Sequence, residues 1–271
     1  MKKKIPFVIA ILVAVGFGIR EYLHRPVDLE NPPIILGHGG MGVRTRITLN
    51  SLKSVEKALA FPIQGTELDV RMTADNELIA FHDSEFPVHT GCPGPVWKKT
   101  YNHIYVCSHG ALHKAEPVEH LDSLLQNLWN KGTVFSLDLK PENDIDSTRL
   151  AAFRDRVSLI VNDHQDFTFF LEGQNLALLS DLKEYKTRAV LFYYAQEFEI
   201  GLQEVKERGL DGISINAKYT TKEQIGKAKS ENIKVMIWGS GSVLSNRQFL
   251  ALDADIIQTD DIPSMVKLLG K

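Results

Sequence analysis

The stretch Gly65-Thr66-Glu67-Leu68-Asp69-Val70-Arg71-Met72 decides how the rest of the chain is read. It is a short β-branched and apolar run, so it reads as a strand, and side chains two apart on a strand share a face, which places Glu67 beside Asp69. Ala74-Asp75-Asn76-Glu77 then reads as a tight turn into a second run at 78–82. Upstream, Leu52, Val55, Ala58 and Leu59 have helical spacing. The same alternation continues in both directions, with strand-like runs at 33–37, 134–139, 168–171, 189–193, 212–215, 234–238 and 255–258. Between them, Leu121, Leu124, Leu125 and Leu128 mark one helical face, Leu176, Leu179 and Leu182 another, and Ile225 with Ala228 a third. Gly132 and Gly209 stand where helices end, and Ser123, Thr220 and Thr221 near where they begin. Alternating strands and helices predict a parallel sheet covered by helices. About eight units fit between Pro33 and Leu269, so the expected fold is an α/β TIM (β/α)8 barrel, a fold that typically takes about 250 residues. One stretch, about 84–119, breaks the rhythm and reads as a small insertion after the strand of the second unit.

Residues 31–271 are assigned to the barrel and 1–30 to a signal peptide or N-terminal membrane anchor plus linker. Lys2, Lys3 and Lys4 precede an apolar run at 5–19, the pattern of a secretory signal and shorter than the roughly 20 residues that span a bilayer comfortably. The expected location is therefore exported, periplasmic or extracellular, or anchored facing outward, with membrane association through this segment possible only in the second case. Cys92 and Cys107 both fall in the insertion, and a disulfide and two free thiols remain open alternatives. The net charge of -3 and the absence of a basic stripe exclude nucleic acid as a partner.

Polar residues collect at strand ends, where β/α barrels place catalytic groups. His38 leaves an apolar strand into Gly39-Gly40, and His82-Asp83 ends the run at 78–82. Glu67 and Asp69 repel one another if both are buried, and a hard divalent cation, Mg²⁺ or Ca²⁺, resolves the conflict; a solvated edge strand is the alternative. Ser136, Asp138 and Lys140 share one face of their strand, so Asp138 can complete an oxygen cage and Lys140 can meet a phosphate. Two imidazoles, three carboxylates and a lysine suit metal-assisted phosphoryl transfer with general acid and base catalysis. Glu172 ends an apolar strand and reads either as a pocket residue or as a surface residue at a loop start. Gly239-Ser240-Gly241-Ser242 reads as a flexible loop, with phosphate binding as the alternative.

In their order these motifs resemble the glycerophosphodiester phosphodiesterases. They are His38-Gly39-Gly40, Leu49-Asn50-Ser51, Glu67-Leu68-Asp69-Val70-Arg71-Met72-Thr73, His82-Asp83, Asp138-Leu139-Lys140, a strand ending in Trp238, and Thr259-Asp260-Asp261-Ile262-Pro263. The resemblance implies a TIM barrel that hydrolyses small glycerophosphodiesters to glycerol 3-phosphate and an alcohol. It implies that Glu67, Asp69 and Asp138 hold one divalent cation, Ca²⁺ or Mg²⁺, that His38 and His82 share the acid and base roles, and that Lys140 and Trp238 bind substrate. It also implies that the insertion lies over the site. The chain departs from the pattern at Gly39, where the family commonly has Arg; Arg44 or Arg46 is the expected substitute. It departs again at Leu49 and Asp138, where Glu is common, and at Leu171-Glu172-Gly173, where a Ser-Phe pair is common. If Glu172 faces the pocket, it suits a cationic head group such as choline or ethanolamine. Alternatives within the resemblance are a lysophospholipase D-type or glycerol-phosphate polymer hydrolase, and a non-catalytic binding module.

Overall fold

The structure is a computed structural model that describes residues 18, 20–87, 90–106, 117–128 and 132–271. Its strands are β1 (Ile34–Gly37), β2 (Gly65–Met72), β3 (Leu78–Ala80), β4 (Glu85–Phe86), β5 (Gly94–Pro95), β6 (Glu119–His120), β7 (Val134–Leu139), β8 (Thr168–Gly173), β9 (Val190–Ala195), β10 (Gly212–Asn216), β11 (Lys234–Ser240) and β12 (Ile256–Thr259). Eight of them run parallel in the order β1-β12-β11-β10-β9-β8-β7-β2, and β1 also pairs with β2, which closes the ring. The expected (β/α)8 barrel is therefore present.

The strand period of two divides each strand between two environments. Leu68, Val70, Leu137, Leu171, Ile213 and Val235 face outward into the main core under the helices. Leu36, Val134, Phe170, Phe192, Met236 and Ile256 form a separate cluster that fills the barrel interior at the amino-terminal ends of the strands. Burying a side chain of this size contributes about 1.5–3 kcal/mol. Gly212 is required beside this plug, because a Cβ there would stand 2.5 Å from the Phe192 ring.

Above the plug the inward residues turn polar. Their positions follow from register, since Glu67 pairs with Ser136, Asp69 with Asp138 and Asp138 with Glu172. The barrel thus carries an apolar floor, a polar middle layer and a charged mouth, all fixed by the two-residue alternation.

Most helices start on side-chain caps, although Leu121–Gln126 and Phe198–Arg208 do not. Thr221 forms a capping box at Lys222–Ser230, as expected, and Gly209 ends Phe198–Arg208 in the left-handed region at φ 63°. Ser123, expected near a helix start, lies inside the helix Leu121–Gln126, whose cap position is His120. The loop Gly239–Ser242 corrects another expectation. Ser242 caps Val243–Ala251 with a capping box, and Ser240 Oγ donates to Asn246 Oδ1 at 2.6 Å, so the segment is a built corner of the barrel and not a flexible loop.

The described residues of the insertion and its flanks form regular structure. β3 returns antiparallel along β2 through a turn with Asn76 at φ 61°, β6 adds to β3, and β4 pairs with β5. Ile79, Phe81, Phe86, Val96, Ile104 and Val118 give it an apolar cluster of its own. Cys92 is disulfide-bonded and no cysteine among the described residues is free; Cys107 lies outside them. The expected signal or anchor at 5–19 also lies outside them, apart from Gly18. The linker that follows is tied to the barrel, with Val27 N–H donating to Leu268 O at 2.7 Å and Arg247 stacked over the Tyr22 ring. Among the described residues no helix is long and apolar enough to cross a membrane.

Candidate active site

Glu67, Asp69 and Asp138 converge at the mouth, with one oxygen of each within 4.8 Å of the others. All three are buried. Burial, reinforced by Asp69, pushes the Glu67 carboxyl well above its ordinary range, and burial also raises Asp138. Three hard oxygen donors that burial and mutual repulsion make costly to ionise fit a divalent cation such as Ca²⁺ or Mg²⁺.

The surroundings hold these acids in place. Asn50 Nδ2 donates to Asp69 Oδ2 at 2.8 Å while Asp69 N–H donates to Asn50 Oδ1 at 3.0 Å. Gly39 N–H donates to Glu67 Oε2 at 2.8 Å. That approach depends on the left-handed backbone of Gly39 and Gly40, at φ 56° and 91°. Lys140 Nζ lies 2.5 Å from Asp138 Oδ2 and 3.2 Å from Asp69 Oδ1. Burial opposes its charge, but Asp138 and Asp69 outweigh burial and raise its pKa. The lysine expected to meet phosphate thus stands in this structure as counter-charge to two of the acids.

His38 is set by register. Gly37 pairs with Thr259, so the next residues, His38 and Asp260, meet, and His38 Nδ1 lies 2.8 Å from Asp260 Oδ1. A carboxylate accepts, so this contact assigns the proton to Nδ1 and turns Nε2 toward the acids, 4.0 Å from Glu67 Oε2. Burial would lower the pKa of His38, but the hydrogen bond to Asp260 and the charges of Glu67, Asp260 and Asp69 raise it to about 9. His82 differs: its side chain is 64% exposed, and among the described residues its ring nitrogen pairs with its neighbour Asp83, at 2.8 Å.

The sequence motifs contain Asn50, Arg71 and Asp260 without assigning them roles, and Tyr194 stands in none of them. Arg71 continues the inward face of Glu67 and Asp69, and it donates from Nε to His82 O and from Nη1 to Lys140 O. Tyr194 sets its ring edge-on to Trp238 at 5.3 Å, and burial raises its pKa to about 12. Trp238 Nε1 is buried without a partner among the described residues. Arg44 and Arg46 are both exposed, and Arg44 passes beside Gly241 and Asp260.

Glu172 corrects an expectation. It is 2% exposed and lies in the middle layer, where Ser136 Oγ and Gln258 Nε2 donate to Oε1 and Ser214 Oγ to Oε2. It is not a surface residue, and both its oxygens are engaged by these donors below the mouth. Burial, then the charge of Asp138, raises its pKa to about 7 against three opposing hydrogen bonds.

Fold and site together define a barrel enzyme with an acidic mouth suited to a cation. The chain belongs to the glycerophosphoryl diester phosphodiesterase family, whose family model matches residues 39–264. Among solved structures it is similar to an Oleispira antarctica phosphodiesterase in complex with the product sn-glycerol-3-phosphate, at 17% identity and TM-score 0.75 over 89% of this chain and 98% of that one. It is likewise similar to a glycerophosphodiester phosphodiesterase from Parabacteroides distasonis, at 17% identity and TM-score 0.73 over 89% and 98%, and to one from Thermotoga maritima, at 18% identity and TM-score 0.69 over 89% and 100%. At such identities the likeness shows the fold. No curated protein matches the sequence significantly.

Proposed function

We propose that this chain, a phosphoric diester hydrolase of this family, hydrolyses glycerophosphodiesters to glycerol 3-phosphate and an alcohol, with one divalent cation held by Glu67, Asp69 and Asp138 and with His38 and His82 as acid and base. One observation carries the reading: the three buried acids converge beside a histidine whose second nitrogen is engaged by Asp260. When bound, the cation neutralises the acids and polarises a phosphate oxygen. His38 acts through Nε2, because Asp260 holds Nδ1. One imidazole takes a proton from water as its oxygen bonds to phosphorus, the bond from phosphorus to the alcohol oxygen breaks, and the other imidazole returns a proton to that oxygen. With Asp138 and Asp69 holding the cation, Lys140 would be free to pair with the phosphate, and Arg44 stands at the His38 side of the same mouth. The sn-glycerol-3-phosphate held by the Oleispira structure supports the product assignment.

Export to an oxidising compartment, with or without retention of the N-terminal anchor, completes the proposal. The Lys2–Lys4 and 5–19 pattern and the disulfide at Cys92 support it. The test of the chemistry follows glycerol 3-phosphate release from glycerophosphocholine and glycerophosphoethanolamine with Ca²⁺, Mg²⁺ or EDTA, against Glu67→Ala. Release that needs metal and disappears in the variant is expected; release that persists in EDTA or in Glu67→Ala rules out the cation role.

A further inference from the structure

A cavity of about 970 Å³ opens over the carboxyl ends of β7 and β8. Asp138 belongs both to its wall and to the acid cluster, Lys140 of the same wall pairs with Asp138, and Ser84 and Glu85, just beyond His82-Asp83, line its other side. It therefore starts where a phosphate at the acid cluster would end. We infer that this cavity receives the alcohol half of the diester and selects an uncharged polyol, such as inositol, a sugar or glycerol, over a quaternary ammonium or an acyl chain. The inference rests on the phosphodiesterase reading above.

The walls argue against an acyl chain. Trp97, Leu139, Pro141 and Tyr194 are the only apolar or aromatic residues among the described lining. A hydrocarbon seated there would strip water from Lys98, Asn143, Asp144 and Gln174 and return no hydrogen bonds, which costs free energy for each group left unpaired.

The charges argue against a cation. Of the acids in the wall, Glu142 is paired with Arg149, Asp138 with Lys140, and Asp146 accepts Arg149 N–H as the cap of the helix Ser147–Asp163. Glu85 and Asp144 remain, and Arg71 and Lys98 offset them in the same wall. Glu172, the acid that could have added a negative field, is closed off in the layer below by three donors. The five acids of the wall exceed its four cations by one, and that one, Asp146, is turned to the N-terminus of its helix, whose positive end offsets it, so no carboxylate is left over to pair with an ammonium.

What it does offer suits hydroxyls, which both donate and accept. Asn143, Gln174, Asn175 and Ser84 supply amide and hydroxyl groups of both kinds, and Trp97 and Tyr194 supply ring surfaces for the carbon skeleton. The volume lies at the upper end of the roughly 300–1,000 Å³ of small-molecule sites, ample for a ring-sized polyol and much larger than an ethanolamine needs.

The experiment compares kcat/KM of the metal-loaded full chain on glycerophosphoinositol, glycerophosphocholine, lysophosphatidylcholine and the ethyl ester of glycerol 3-phosphate. The inositol diester should exceed the choline diester and the lysolipid by about tenfold or more, the discrimination that a few complementary polar contacts give. Trp97→Ala and Gln174→Leu should each shrink the ratio of inositol to ethyl ester, by about tenfold and about fivefold. Gln174 is exposed at a strand end, so its variant separates lost recognition from lost folding. Equal or better turnover of choline or lysolipid, or a ratio unchanged in both variants, overturns the polyol assignment and leaves the hydrolase reading standing. Turnover of none of the four substrates overturns both.

Discussion

The two histidines at the barrel mouth share a residue type and a strand-end position, yet they are built in opposite ways. His38 is held by Asp260, 222 residues away, and its exposure is 28%. His82 is held by the next residue and its exposure is 64%. A partner from another strand fixes ring orientation and tautomer through the barrel itself, so His38 moves only if the barrel does. A partner one residue away travels with the ring and fixes little. The contrast teaches that one imidazole is preorganised by the closed barrel and the other is not.

The largest effect expected is on the chemistry: His38→Ala and His82→Ala should each lower kcat about 10²- to 10⁴-fold while cation binding, read by calorimetry, persists. Full activity in either variant would break the pairing of roles. Sharpening the contrast, Asp260→Asn should lower kcat/KM about 10- to 100-fold and shift its pH profile, because the ring loses its fixed tautomer. The acids beside His38 give a third effect. Ca²⁺ or Mg²⁺ at about 100 times its dissociation constant should stabilise the fold by about 2.7 kcal/mol, seen as a rise in melting temperature that Asp69→Asn removes.

Fourth comes the layer below the mouth. The folded pKa of Glu172 is about 7 against 4.5 for an ordinary Glu. Between those values the folded state binds the proton that the unfolded state has released, so this contribution is present below pH 4.5 and is lost as pH rises through 7. Relative to Glu172→Gln in chelator, the native chain should lose on the order of 2 kcal/mol between pH 4.5 and 8, measured by denaturant melts at each pH. The smallest effect is expected at the exposed pair. Asp83→Asn should change kcat/KM by less than about fivefold, since an exposed ion pair contributes about 0–1 kcal/mol. An Asp83 effect as large as that of Asp260 would erase the contrast.

Much of this was legible in the chain. The alternation around Glu67 and Asp69 announced the strand, its repetition announced the barrel, and the strand-end rule pointed to His38, His82, Asp138 and Lys140. These depend on local periodicity, which sequence carries directly. The roles of Asp260 and Asn50 were not legible, because each meets its partner across closed strands or a loop whose approach no local pattern encodes. Glu172 misled for the same reason: a strand-end acid looks alike whether it faces solvent, substrate or three donors from other strands. Sequence alone therefore determined which side chains face the barrel axis, since that follows from a period of two. Only the tertiary structure decided at which depth each one lies and what it meets there, because depth is set by the register between strands, and register is a property of the closed ring.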